Sequence, residues 1–494
     1  MRKFYITTSI PYVNAPPHIG FALEAVQADV VARYRRLLKE DVFFLTGTDE
    51  HGIKIARKAE EAGKSPQEFV NEISKKFKAL KKALNLSTDD FIRTTDAQRH
   101  WPSVEKVWNK IKAREDIYKK KYRGLYCVGH EAFILEKELV GGKCPIHQKE
   151  PEVVEEENYF FRLSKYADKL KKAISRNKIK IIPETKKKEA LNLIEQGLED
   201  ISCSRLKESV KWGIPVPGDD SQIIYIWFEA LINYISALGY AEDNAKFKKF
   251  WPADLHCVGK DIFKFHSLVW PAMLLSCGLD LPKKIFVHGF INVAGRKMSK
   301  SLGNIVDPFE LVEKYGTDPV RYFLLREVPP TEDGDFTYER FEERYNSDLA
   351  SGIGNLLSRV SKMAEKIADS EGRVVINIKD AKEIISQIKK AKINYGKYLG
   401  EFRFNESLKS IWELIGFCDK YCDTKRPWEG GEGGALATKN LLYALTGLAE
   451  MLAVFIPETS EKILNQVKII SEKGLTLTIK INKERPLFPR RLDK

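Results

Sequence analysis

Apolar and polar positions alternate through KFYITTS (residues 3 to 9), the period of a half-buried strand. The period then changes at PPHIGF (16 to 21), after which Ile19, Leu23, Val26 and Val30 fall on one face of a helix. VFFLTGT (42 to 48) predicts a second, buried strand, so the chain opens as a strand–helix–strand unit. Residues 64 to 113 are helical and charged in pattern. Residues 116 to 162 change to short strand-like pieces with Gly141-Gly142 and two Cys/His pairs, which marks an inserted module. Strand-then-helix patterns resume in 223 to 238, 254 to 277 and 284 to 293, as if the insertion had split one parallel sheet into halves. Beyond 345, Leu349, Ile353, Leu356, Val360, Met363 and Ile367 repeat at spacings of four and three, which predicts an α-bundle. Strands are scarce there until TLTIKI (476 to 481), and GGEGG (430 to 434) reads as a flexible loop. No internal repeat and no low-complexity tail is found.

Length changes this picture little: 494 residues are too many for one core and fit two to four compact units, and 43% hydrophobic residues is ordinary for a globular chain. Charge adds a partner class. The formal charge of +13 attracts polyanions, and KYADKLKKAISRNKIKIIPETKKKEA (165 to 190) concentrates much of it, although a charge run alone is more simply a solvated surface. Seven cysteines are sparse and odd in number, unlike a disulfide framework, and suit a reducing compartment; Cys418 and Cys422, four apart, read as buried or idle thiols. The N-terminus shows no charged-then-apolar leader, and the longest apolar run, 441 to 456, is broken by Thr446 and Glu450. A cytoplasmic protein with no membrane partner is the expectation.

The candidate chemistry starts at the first strand-to-helix turn. The first N–H groups of such a helix are unpaired and carry partial positive charge, which makes a phosphate site. Gly20 lets a ligand approach the backbone, and His18 adds a donor; alone, a histidine at a helix start is more often a surface residue. GRKMSKSLGN (295 to 304) changes the weighing, because Lys297 and Lys300 sit three apart in a Gly- and Ser-rich loop that can close over a triphosphate. Cys127-x-x-His130 and Cys144-x-x-His147 have the spacing of a zinc knuckle pair.

His18-Ile19-Gly20-Phe21 and Lys297-Met298-Ser299-Lys300-Ser301 resemble the two signatures of class I aminoacyl-tRNA synthetases. Within that class the chain resembles the methionyl-tRNA synthetase family from end to end, through SIPYVNAPPHIG, FLTGTDEHG, YIWFEALINY, VGKDIFKFH, VHGFINVAGRKMSKS and NLLSR. The resemblance implies an α/β fold: a Rossmann-like parallel sheet split by an inserted connective module, followed by an α-helical anticodon-binding bundle. Its segments would be 1–115 and 223–344 for the two catalytic halves, 116–222 for the insertion and its return to the sheet, and 345–494 for the bundle. It implies ATP-dependent activation of methionine and transfer to methionine tRNA, initiator and elongator.

Residue by residue, the resemblance assigns His18, Lys297 and Lys300 to catalysis, and His18, Gly20, Gly259, Asp261, Lys297, Ser299 and Lys300 to ATP with its Mg²⁺. It assigns Ile10, Tyr12, Trp227, Leu231, Tyr234, Ile262 and His266 to the methionine side chain, with Asp49 holding the ammonium group. Trp227, Leu231 and Tyr234, spaced four and three, share one helical face, which without the motifs is an ordinary core stripe. Asn355, Arg359 and Trp428 would meet the anticodon loop. Two departures stand out: Phe21 occupies a place where the family usually carries a second histidine, and His130 one where it commonly carries cysteine. Phe21 cannot donate to a phosphate, so that contact falls to His18, the helix N–H groups and the two lysines. One structural Zn²⁺ and a monomeric state complete the expectation. Two other readings remain: another class I synthetase or nucleotidylyltransferase, and an RNA-binding protein on a synthetase scaffold, of which Phe21 is the best support.

Overall fold

In the computed structural model, residues 2–128, 132–134, 136–145, 148–298, 303–483 and 485–490 are described. The chain divides into two compact units, one of Met1–Pro17, Arg35–Lys81 and Ser87–His288, the other of His18–Tyr34, Lys82–Leu86 and Gly289–Lys494.

The first unit is built on a six-stranded sheet. Its strands are β1 (Lys3–Thr7), β2 (Asp41–Thr48), β3 (Asp90–Arg93), β4 (Lys180–Ile182), β5 (Leu255–Gly259) and β6 (Lys284–His288), in the spatial order β3-β2-β1-β5-β6-β4. Every neighbouring pair is parallel. The expected doubly wound α/β architecture is therefore present, with β1 to β3 from before the insertion and β5 and β6 from after it.

Several details differ from the sequence reading, for physical reasons. β1 ends at Thr7 and is not half-buried: Phe4, Tyr5, Ile6 and Thr7 are all buried, because a parallel sheet is covered on both faces and alternation then carries no exposure. β3 lies inside the stretch read as helical; four residues are too few for a period to register. Within the Lys-rich stretch, KII forms β4, with Ile179 and Ile181 in the core while the lysines between and around them face out. The strand before Trp227 (Asp219–Ile224) does not join the parallel sheet; it pairs antiparallel with Ser204–Leu206 and Pro215–Val216.

In the second unit, helix α1 (Ile19–Leu37) contributes its first four turns. The apolar repeat is buried from Leu349 to Met363, with Ile367 half-buried at its end, first as a wide-turn segment, Tyr345–Gly354, then as α2 (Asn355–Ile367). Helices α3 (Phe404–Lys425) and α4 (Gly431–Leu452) pack with it. Cys418 and Cys422 are buried. Of GGEGG, Gly431–Gly434 prove to be the first turn of α4 rather than a loop, and a Cβ on Gly434 would stand 2.9 Å from the Pro427 carbonyl oxygen, which only glycine avoids. The bundle also carries a small antiparallel sheet, Arg373–Asn377, Thr476–Ile481 and Val467–Lys473, of which only the middle strand was legible. Among the described residues, no helix is long and apolar enough to cross a membrane.

One buried charge organises this unit. The Arg321 guanidinium, fully shielded from solvent, donates to the carbonyls of Leu84 (2.9 Å), Val454 (3.2 Å) and Phe455 (2.8 Å) and pairs at 2.8 Å with the equally buried Asp29 of α1. Asp29 also accepts from Arg33 Nε at 2.7 Å. Three separate segments thus close on one planar cation, whose fork geometry matches several acceptors at once.

Candidate active site

In a doubly wound sheet the ligand crevice lies at the carboxyl ends of the strands, where the strand order reverses. Here the reversal falls between β1 and β5, since β1 leads outward to β2 and β3 while β5 leads to β6 on the other side. The segments leaving these strands carry Ile10 and Tyr12 after β1, Asp49 after β2, and Gly259, Asp261, Ile262 and His266 at and beyond the end of β5. A register continuing past the sheet ties two of them together. Tyr12 bridges Asp49, with Val13 N–H donating to Asp49 O (3.1 Å) and Asp49 N–H to Pro11 O (2.9 Å).

The hydrophobic candidates come together in one cluster: Leu231 and Tyr234 are buried, and Ile10, Tyr12, Trp227 and Ile262 pack against it half-buried. Trp227 and Tyr234 sit on two short helices, Ile226–Ala230 and Asn233–Ser236, rather than on one continuous helix. Trp227 stacks on Phe265 with ring centroids 4.2 Å apart and planes 7° off parallel. His266 lies in a π-type turn, Phe265–Val269, a local widening common at functional sites. Its Nδ1 is 3.0 Å from the Ile262 carbonyl, which only accepts, so the neutral ring carries its proton there and Nε2 accepts from the Tyr234 hydroxyl at 2.7 Å. Beneath them, Trp270 Nε1–H donates to His256 Nε2 (3.3 Å), which leaves His256 Nδ1–H for Thr7 Oγ1 (2.7 Å). Burial and then the neighbouring His266 hold the His256 pKa well below its ordinary value, so this support is neutral.

A second arrangement was invisible in the sequence. Glu229, fully buried two residues after Trp227, takes His51 Nδ1 on one carboxylate oxygen and His100 Nε2 on the other, both at 2.8 Å. Burial pushes the Glu229 carboxyl up, and the charges and hydrogen bonds of His51 and His100 outweigh it, leaving the pKa below its ordinary value. His51 follows Asp49 by two residues, so this clamp fixes the Asp49 loop against the helix that bears Trp227. The loop is further held by Glu50, buried and bonded to Thr48 Oγ1 (2.6 Å) and Arg93 Nε (2.7 Å). Histidines in TDEHG and DAQRH gave a signal only as residue types; nothing in their spacing points to Glu229.

Asp261 is exposed, and a Cβ on Gly259 would lie 2.7 Å from its Oδ1, so glycine there lets the carboxylate fold back over the strand end.

In the second unit the turn at His18 differs from the expected array of open amides. Ile19 N–H donates to Val306 O (3.0 Å), Gly20 N–H to His18 Nδ1 (3.1 Å) and Phe21 N–H to His18 O (3.0 Å). The group that approaches the Gly20 backbone is the His18 ring itself: a Cβ on Gly20 would stand 2.8 Å from His18 Cε1. Burial pushes the His18 pKa down to about 4, and the positive end of the helix acts in the same sense. Lys297, exposed, ends a tight hairpin formed by Ile291–Val293 and Arg296–Lys297. Its two-residue turn puts Ala294 and Gly295 at φ of 50° and 71°, the left-handed pair that such a hairpin needs. Met298 reaches back toward the α1 turn, its Cε 3.6 Å from where a Gly20 Cβ would be. Ser299 and Lys300 lie outside the described residues.

Comparison with known proteins identifies the family. The family model for class I tRNA synthetases of the M type matches residues 4–150 and 134–361, and an anticodon-binding domain of tRNA ligases matches 381–486. The chain belongs to the class I tRNA synthetases of the methionine type. The methionine–tRNA ligase of Thermotoga maritima is 45% identical over 479 residues, covering 94% of this chain and 75% of its own length. That of Bacillus subtilis is 40% identical over 520 residues, covering 99% and 78%. The Mycobacterium tuberculosis methionyl-tRNA synthetase in complex with methionyl-adenylate superposes with a TM-score of 0.92 at 38% identity, covering 99% of this chain and all of that one.

The family's RNA-facing candidates meet at the α2 surface. Arg359 pairs with Asp423 (3.0 Å) and Asp419 (3.6 Å) of α3, and its guanidinium lies 5.9 Å from the ring of Trp428, which is 44% exposed. Asn355, exposed, is one turn earlier. In the insertion, Cys127 and Cys144 are both buried in one small cluster with Ile134, while His130 and His147 lie outside the described residues.

Proposed function

We infer that the chain is a methionine–tRNA ligase: it activates methionine with ATP and passes the methionyl group to methionine tRNA, initiator and elongator, for translation. The observation that carries the reading is the gathering of an acidic residue, Asp49, and a half-buried aromatic cluster at the switch point of a parallel sheet, in a chain related over nearly its whole length to methionine–tRNA ligases.

On this reading the methionine ammonium pairs with Asp49. Its thioether lies among Ile10, Tyr12, Trp227, Leu231, Tyr234, Ile262 and His266, where sulfur gains about 0.3 to 1.5 kcal/mol from aromatic edges. The carboxylate attacks the α-phosphorus and pyrophosphate leaves; the terminal adenosine of the tRNA then attacks the acyl carbon and AMP leaves. His18, Lys297 and Lys300 stabilise charge moving onto the leaving pyrophosphate, while Gly20, Gly259, Asp261 and Ser299 are assigned to ATP by the family resemblance. Mg²⁺ enters on the nucleotide phosphates. Asn355, Arg359 and Trp428 read the anticodon loop, and the segments 1–115, 116–222, 223–344 and 345–494 divide the labour as outlined above. The enzyme works in the cytoplasm as a monomer. Two buried thiols with two histidines at knuckle spacing fit a structural Zn²⁺, which would tie the insertion's loops together; elemental analysis of chelator-free protein decides it, and a folded, metal-free sample ends it.

The test is ATP–pyrophosphate exchange with each of the twenty amino acids. Exchange with methionine alone supports the reading, another amino acid redirects the pocket, and none with any moves the function toward RNA binding. Glu229→Gln is expected to raise the KM for methionine about tenfold, ~1.4 kcal/mol, with the KM for ATP unchanged, because the clamp sets Asp49 against Trp227. A parallel change in both constants would count against that. Trp428→Ala should cost charging about 1 to 3 kcal/mol, one stacked base, and leave exchange intact; equal losses would make Trp428 structural.

A further inference from the structure

We propose that Phe21 is a positioning residue for His18: its ring holds the imidazole in one orientation and one tautomer, with Nε2–H as the edge presented to the nucleotide phosphates. This rests on the reading of the chain as a methionine–tRNA ligase.

The geometry carries the proposal. The two rings pack with centroids 4.6 Å apart, tilted by 39°. Phe21 follows His18 by three residues on the first turn of α1, so the contact is fixed by the helix and not by a mobile loop. On its other side the imidazole sits over Gly20, whose N–H donates to Nδ1 at 3.1 Å and whose missing Cβ makes the room. A backbone N–H can only donate, so Nδ1 is the acceptor and the neutral ring carries its proton on Nε2. Among the described residues Nε2 has no hydrogen-bond partner. The amides of the turn are already engaged, Ile19 with Val306 and Phe21 with His18 itself. The Nε2–H is thus a side-chain donor left open at this turn among the described residues, and the phenyl ring keeps it in place. A second histidine here would offer another donor; a phenyl ring offers none, and acts by shielding the first from water and from rotation. Desolvation of the half-buried ring, with a pKa pushed down to about 4, keeps it neutral at physiological pH, as a neutral donor requires.

The experiment uses the full chain, labelled with ¹⁵N at histidine, with His18 signals identified by their loss in His18→Gln. Long-range ¹H–¹⁵N correlation at neutral pH should show His18 as the Nε2–H tautomer alone. Phe21→Ala should give averaged ring-nitrogen shifts, and lower the kcat of methionine-dependent exchange about tenfold while the KM for methionine stays put, since a misplaced group costs rate rather than remote binding. Phe21→Tyr, which keeps the ring, should restore both. A Phe21→Ala protein with an unchanged tautomer and unchanged kcat would overturn the proposal. So would a Phe21→Tyr protein as impaired as Phe21→Ala. If Phe21→Ala does not fold, Phe21→Leu carries the same comparison, filling the volume without the ring. A wild-type chain that exchanges with no amino acid defeats the functional reading, and the tautomer spectra of the same variants still decide the role of Phe21.

Discussion

Gly20→Ala is expected to lower the kcat of adenylate formation about 10²- to 10³-fold, the loss that follows removal of one preorganised donor from a charge-developing site. The added methyl would stand 2.8 Å from His18 Cε1, closer than real Cβ contacts, and a tight 3.0 Å from Nδ1, so the ring must shift on the turn. The Gly20 N–H then loses its acceptor, and on the role proposed for His18 its Nε2–H is turned away from the phosphates. Methionine affinity should hold, because the pocket candidates lie on other elements, and the protein should stay folded, since helix α1 gains a better helix former. Stopped-flow adenylate formation against methionine titration separates the two. A variant with normal rate would mean that the His18 ring position is irrelevant to chemistry; one with lost methionine binding would mean that the turn is structural.

Arg321→Leu is expected to cost about 3 to 5 kcal/mol in stability, the usual consequence of removing one partner from a buried ion pair. Asp29 would lose its 2.8 Å guanidinium partner and keep Arg33, whose own side chain is partly exposed, and three buried carbonyls would lose a donor. Arg321→Lys should recover part of the loss, because an ammonium can satisfy Asp29 and some of the carbonyls without spanning all of them. The urea midpoint is the measurement, with helical circular dichroism as the probe. Stability within about 0.5 kcal/mol of the parent for Arg321→Leu would show that apolar packing there compensates fully.

The share of this molecule legible in its sequence follows the range of the interactions. His18-Ile19-Gly20-Phe21 and the Lys297–Lys300 loop were legible because their chemistry is packed into four or five consecutive residues. The apolar repeat from Leu349 was legible because helix period is a local property, and the parallel strands because continuous apolar runs flanked by helices have few other uses. β3 and β4 escaped for the opposite reason: three or four residues set no period, and β4 is wrapped in lysines that face outward. The outer strands of the small antiparallel sheet escaped because they carry exposed Val375, Ile469 and Ile470 and break the expected alternation.

Candidate residues for methionine could be named one by one, and the chain order alone puts Ile10, Tyr12 and Asp49 after strands. What it leaves open is which groups hold them. Glu229 meets His51 and His100 across 178 and 129 positions, and Arg321 meets Asp29 and Leu84 across the length of the first unit's sequence. Such partners are chosen by burial: a charge removed from water must find acceptors or donors wherever the fold brings them, and distance along the chain does not enter. The amino-acid order thus settles which chemistry is available here and which periods the backbone follows. The folded core decides which side chains are taken out of water together, and with that the tautomer of His18, the pairing of Glu229 and the place of Arg321.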